Sequence, residues 1–95
     1  MVISMIQFVL ELPEITSIKD KRRIVNSIKG KLISRYKISM AEVDLLHSLS
    51  FAQLGGAVVS NSKEHGESVM QKVLQFVEKD LPGMLTEVSI SSEQF

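Results

Sequence analysis

Eight of the eleven Lys and Arg residues in this chain lie between Ser17 and Lys37: Lys19, Lys21, Arg22, Arg23, Lys29, Lys31, Arg35 and Lys37. Asp20 is the one acid among them, so the stretch carries +7, while the remaining residues, with three Lys and ten acids, carry −7. A formal net charge of zero therefore conceals two opposed parts. Dense cations bind anions, and the polyanion best suited to a long basic segment is RNA, whose phosphates release counterions when Lys or Arg neutralises them. A second constellation is Glu42, Asp44 and His47, the one cluster of metal-type ligands, able in principle to hold a hard cation or Zn²⁺. The more economical reading pairs Glu42 and Asp44 with Lys21 and Arg22 as structural ion pairs, and no metal is expected. His65 reads as a helix-surface residue.

Enzyme signatures are missing. There is no Cys, which excludes thiolate metal sites, disulfides and a thiol nucleophile. No Gly-x-x-x-x-Gly-Lys loop and no Gly-x-Ser-x-Gly elbow occurs. The turn Pro13-Glu14-Ile15-Thr16 has no Arg to cradle phosphate, and its acid would repel one. No catalytic residue and no cofactor are expected.

These residues must be placed by a single domain spanning 1–95, since 95 residues with 44% hydrophobic content support one core. Val2 to Leu12 reads as a strand, with Ile6, Phe8, Leu10 and Leu12 on the core face and Ile3, Met5 and Val9 on the other. Apolar residues on both faces mark a central strand. Ser17-x-x-Asp20 starts a helix. At 100° per residue, Ile18, Val25, Ile28, Leu32 and Tyr36 form its apolar stripe. Lys19, Arg23 and Lys37 lie opposite, with Lys31 and Arg35 to one side, whereas Lys21 and Lys29 fall within or beside the stripe. Gly30 in mid-helix hints at close backbone approach or a bend.

Ile38 to Leu45 reads as an edge strand that carries Glu42 and Asp44 on one face. Ser50 to Ser60 reads as a central strand, its Gly55-Gly56 pair suggesting a bulge or close packing. Asn61-x-x-Glu64 opens a second helix with a stripe of Gly66, Val69, Met70, Val73, Phe76 and Val77, ended by Pro82-Gly83. Met84 to Ser91 reads as a last edge strand, with the polar tail beyond it expected to fray. The order β-α-β-β-α-β implies an α+β ferredoxin-like sandwich: a four-stranded antiparallel sheet in order 4-1-3-2, with two helices on one face.

The blocks Leu12 to Arg23 (L-P-x-x-x-S-I-K-D-K-R-R), Ala41 to Asp44 (A-E-V-D) and Gly55 to Asn61 (G-x-A-V-V-S-N) resemble the YlxP-like family of small bacterial proteins. The resemblance runs over nearly the whole chain and implies the same ferredoxin-like fold. Genes of that family tend to lie near translation-initiation and ribosome-maturation genes, which implies by association an RNA or ribosomal partner. Members often carry a Trp where this chain reads LHSLSFAQ; here Phe51 stands nearby.

The sequence thus leads to a cytosolic, non-catalytic protein that associates with RNA or a ribosomal particle through Lys19, Arg23, Lys31, Arg35 and Lys37. The alternative is a homodimeric interaction or small-ligand-binding domain using the open sheet face at Ile3, Met5 and Val9. Base stacking on that face is not expected, because it lacks the paired aromatics that sheet-face RNA binders use. The apolar amino-terminal stretch is too short to span a bilayer and lacks a basic leader, so no membrane association is expected.

Overall fold

The alternation of Val2 to Leu12 decides the centre of the molecule. In a computed structural model that describes residues 1–95, this stretch forms β1 (Val2–Glu11), whose Val2, Ser4, Ile6, Phe8 and Leu10 are all buried on one face. It is followed by α1 (Ile18–Tyr36), β2 (Ser39–Asp44), β3 (Phe51–Ser60), α2 (Lys63–Asp80) and β4 (Leu85–Gln94). All pairings are antiparallel and the sheet order is β2-β3-β1-β4, the ferredoxin-like order expected from the pattern. The two strands richest in apolar residues sit in the middle, where both neighbours shield them from water. Val25, Ile28 and Leu32 of α1 and Met70, Val73 and Val77 of α2 share one core with Ile6, Phe8, Leu10 and Leu54, so both helices cover the same face.

Several local expectations change. The polar tail does not fray: β4 continues through Gln94, Glu93 pairs with Ile3, and the Phe95 N–H donates to the Met1 carbonyl at 2.7 Å. Backbone pairing with β1 needs no apolar side chain, so the period-2 pattern could not mark where this strand stops. The amino-terminal cap of α2 is Ser62 rather than Asn61, its hydroxyl accepting from His65 N–H at 3.2 Å. Gly55 and Gly56 lie in unbroken register with Gln7 and Ile6, so no bulge occurs there. They make room instead for side chains of the edge strand: Val43 lies over Gly55 on the open face and Met40 over Gly56 on the helix face. A bulge falls instead in β2, where Val43 is the extra residue between Glu42 and Asp44. Gly30 faces open space, with nothing within 4 Å of where a Cβ would stand.

Gly66 is the glycine that packing demands. There α2 passes directly over β1, and a Cβ at Gly66 would collide with the Ser4 hydroxyl and come within 2.8 Å of Ser4 Cβ. Ser4 is fully buried, and its hydroxyl is satisfied by Ser92 Oγ at 2.7 Å. The small residues Ser4, Ser60 and Gly66 together set how closely α2 approaches the sheet.

Candidate functional site

The basic segment becomes α1 by the capping expected: Ser17 Oγ accepts from Asp20 N–H at 3.2 Å. The helix ends where Lys37 takes a left-handed conformation and donates its N–H to Ile33 O. The burial of α1 follows a stripe of Lys21, Val25, Ile28 and Leu32, at spacings of four, three and four residues. Lys21 thus occupies a core position and is 1% exposed. Its ammonium donates to the carbonyls of Leu45 and Ser48, each at 2.6 Å, and stands 3.0 Å from Glu42 Oε2. The Glu42 contact is ionic rather than an aligned hydrogen bond, and that oxygen has no other partner.

Of the expected structural ion pairs, only Lys21 with Glu42 comes within 4.0 Å. Arg22 is exposed with no carboxylate beside it. Asp44 Oδ1 instead accepts from Leu45 N–H at 2.7 Å. The bulge at Val43 is the physical reason: it turns Asp44 out of the face shared with Glu42 and leads into Leu45, whose φ of 62° starts the hairpin turn. No three of the His, Asp and Glu side chains converge as a ligand set.

The other seven cations of Ser17 to Lys37 have no carboxylate within 4.0 Å, and six of them are exposed, Lys29 being half-buried. They do not form one patch. Lys19 and Arg23 lie at the start of α1, and Arg35 stands about 24 Å from Lys19 at 1.5 Å of rise per residue. Lys31 and Arg35 instead flank a groove between the two helices. One hollow, about 530 Å³, is lined by Gly30, Lys31, Ser34, Arg35, Phe76 and Asp80. A second, about 430 Å³, is lined by Arg35, Tyr36, Lys72, Gln75, Phe76, Lys79 and Asp80. Arg35, Phe76 and Asp80 border both. The guanidinium carbon of Arg35 lies 5.1 Å from the Phe76 ring centre and 5.9 Å from that of Tyr36, and the two rings meet edge to face at 6.0 Å.

Sequence reasoning missed the contribution of α2. Lys72, Phe76 and Lys79 are spaced i, i+4, i+7 and so share one helix face, which is the signal that could have found them. The apolar stripe of α2 predicts a wholly core position for Phe76. It is half-buried, with one side on the core and the other toward the groove.

The open face of the sheet is the other large exposed feature. Ile3, Met5 and Val9 are half-buried there, in register with Val59, Ala57 and Gln53 of β3. Val59 is 62% exposed, and Val43 and Phe51 are exposed as well. A shallow hollow of about 320 Å³ opens over Gly55 and Ala57 between Met5 and Ala41.

The family model described as "protein of unknown function (DUF503)" matches residues 3–90. The chain belongs to this family. No curated protein matches the sequence of this DUF503 chain. Among solved structures, a de novo designed protein with ferredoxin fold superposes with a TM-score of 0.57 at 10% identity, over 99% of this chain and 86% of the other. A dimeric ferredoxin-like protein of unknown function from Thermobifida fusca gives 0.56 at 14% identity, over 99% and 91%. A dimeric protein of ferredoxin-like fold from Bacteroides fragilis gives 0.51 at 13%, over 99% and 96%. At such identities the likeness is one of fold, and fold alone assigns no activity. No helix of the chain is long and apolar enough to cross a membrane.

Proposed function

We propose that this DUF503 protein binds RNA, free or within a ribosomal particle, through the cationic surface of α1, extended at its carboxy-terminal end by Lys72 and Lys79 of α2. The observation that carries this reading is the absence of internal neutralisation: seven of the eight cations of Ser17 to Lys37 have no carboxylate within 4.0 Å. An ordinary solvated helix spreads its charges among acids at i±3 and i±4, and α1 has only Asp20. The resemblance of the SIKDKRR and AVVSN blocks to the YlxP-like family supports the same reading, and such a partner implies a cytoplasmic location. Binding of this kind is governed by counterion release. If four phosphates of a single strand are neutralised, affinity falls roughly 50-fold between about 50 and 200 mM salt. Fluorescence anisotropy with a labelled RNA measures this. The double variant Lys19→Glu/Arg23→Glu should weaken binding further and flatten the salt slope by about 1.4 if each residue meets one phosphate. Binding indifferent to both salt and these changes would refute the proposal.

A second reading, compatible with the first, rests on the open sheet face. We infer that two copies pack through it. Three strands about 33 Å long and the six-residue β2 of about 20 Å, spaced about 4.8 Å apart, present a projected face of about 570 Å², somewhat below the ~800 Å² per partner of a stable interface. The centre of the face is apolar and hollowed over Gly55 and Ala57, while the acids Glu87 and Glu93 lie along the β4 edge. Two proteins of this fold, from Thermobifida fusca and Bacteroides fragilis, are dimers. Light scattering should therefore give twice the chain mass, and Met5→Lys, which buries an ammonium at the centre of the face, should return the chain mass. A monomer for the unaltered protein at high concentration excludes this reading.

A further inference from the structure

We infer that Arg35 is the base-contacting residue of the RNA surface: its guanidinium, seated over Phe76, stacks on an unpaired base, while Lys31, Lys72 and Lys79 take the flanking phosphates. This rests on the RNA reading above and narrows it to single-stranded RNA. Three observations carry it. First, Arg35 is positioned by rings and not by a carboxylate. Its guanidinium lies 5.1 Å from the Phe76 centroid and 5.9 Å from that of Tyr36, with no carboxylate within 4.0 Å. Arg35 is exposed to solvent beside these rings, and a guanidinium plane is one of the surfaces on which proteins stack splayed-out bases. Second, open hollows of about 530 and 430 Å³, lined largely by polar residues, flank the Arg35–Phe76 pair and leave room beside it. Third, the two hollows together carry four cations against the single carboxylate of Asp80. Gly30 leaves the entrance unobstructed, because nothing lies within 4 Å of where its Cβ would be.

A duplex does not fit this arrangement. Its bases are stacked inside and offer no face to a guanidinium plane, whereas a single strand can turn one base toward it and lay its phosphates along the cationic rim. An acidic peptide would satisfy the lysines but leave the guanidinium face unused.

The test is anisotropy at about 100 mM salt, with a labelled RNA of about 12 nucleotides, the same strand annealed to its complement, and the same strand with abasic sites. The proteins are the unaltered chain, Arg35→Lys and Lys19→Glu/Arg23→Glu. Arg35→Lys keeps the charge and removes the plane. The inference expects this change, and separately the removal of bases, to weaken single-strand binding roughly tenfold, with duplex binding unchanged by Arg35→Lys. Intact and abasic strands that bind alike overturn it, as does Arg35→Lys binding the single strand like the unaltered protein. If Lys19→Glu/Arg23→Glu still weakens binding in that case, the RNA reading stands without the groove. If no RNA binds, or poly-glutamate competes as well as RNA, both fall together.

Discussion

Replacing Lys21 with Met lowers the stability of the domain by about 3–5 kcal/mol, the range seen when one partner of a buried charge pair is removed. The reason lies in what the ammonium leaves behind. Ser48 O loses the donor that satisfies it at 2.6 Å, Leu45 O keeps only the Ser48 N–H at 3.0 Å, and Glu42 Oε2 loses its only cation. Met restores most of the buried volume of the Lys stem, so the loss reports polar and ionic terms rather than a cavity. Domains of this size have about 5–15 kcal/mol in total, so urea unfolding should show a large shift in midpoint. Glu42→Gln is the informative companion. It removes the ionic contact but leaves both carbonyl bonds to Lys21 intact, so it should cost only about 1–2 kcal/mol. The carbonyls, and not the carboxylate, then emerge as what the buried lysine chiefly serves. Amide exchange across residues 45–50 should quicken in Lys21→Met, because the hairpin loses its tie to α1. A loss below about 1 kcal/mol would show that water takes over the role of the ammonium.

Gly66→Val should cost at least about 3 kcal/mol, the upper end of what overpacking a core exacts. A Cβ alone already meets the Ser4 hydroxyl and stands 2.8 Å from Ser4 Cβ, and Ser4 belongs to the central strand, which cannot withdraw without breaking its pairing on both sides. Relief therefore requires α2 to lift off the sheet, loosening Met70, Val73 and Val77 behind it. Helix propensity opposes this by only a few tenths of a kcal/mol, since Val is a slightly better helix former than Gly, and the clash decides the sign. Gly30→Ala is the matched control. It relieves a similar propensity penalty in α1 with no steric conflict, so it should raise stability by about 1 kcal/mol. Thermal or urea unfolding of the two variants side by side separates the two kinds of helix glycine. Equal effects would mean that α2 is not held against Ser4 as described.

Much of this molecule was legible from local pattern. The six elements and their order, the parity of β1 and the cap at Ser17 follow from periodicities of 2 and 3.6 residues and from capping chemistry, which are properties of neighbouring residues; the sheet order came from the ferredoxin-like fold that this element order implies. The charge segregation was equally plain, because it is a matter of composition. What the pattern could not show depended on residues distant in sequence meeting in space. The polar tail is a strand because β1 needs a neighbour. Asp44 parts from Glu42 because Val43 bulges over Gly55. Phe76 and Lys72 join Arg35 because two helices lie side by side on one sheet.

Lys21 states the division most sharply. Its place on the apolar stripe was readable from a helical wheel, and so was the need for a partner. That its principal partners are two backbone carbonyls of a hairpin more than twenty residues away was not, because carbonyls have no letter in a sequence. The sequence by itself determined a ferredoxin-like sandwich with a +7 segment from Ser17 to Lys37. The tertiary structure decided which of those charges is consumed inside the fold and which stand unneutralised, since a charge is spent or free according to the distance to its nearest acceptor.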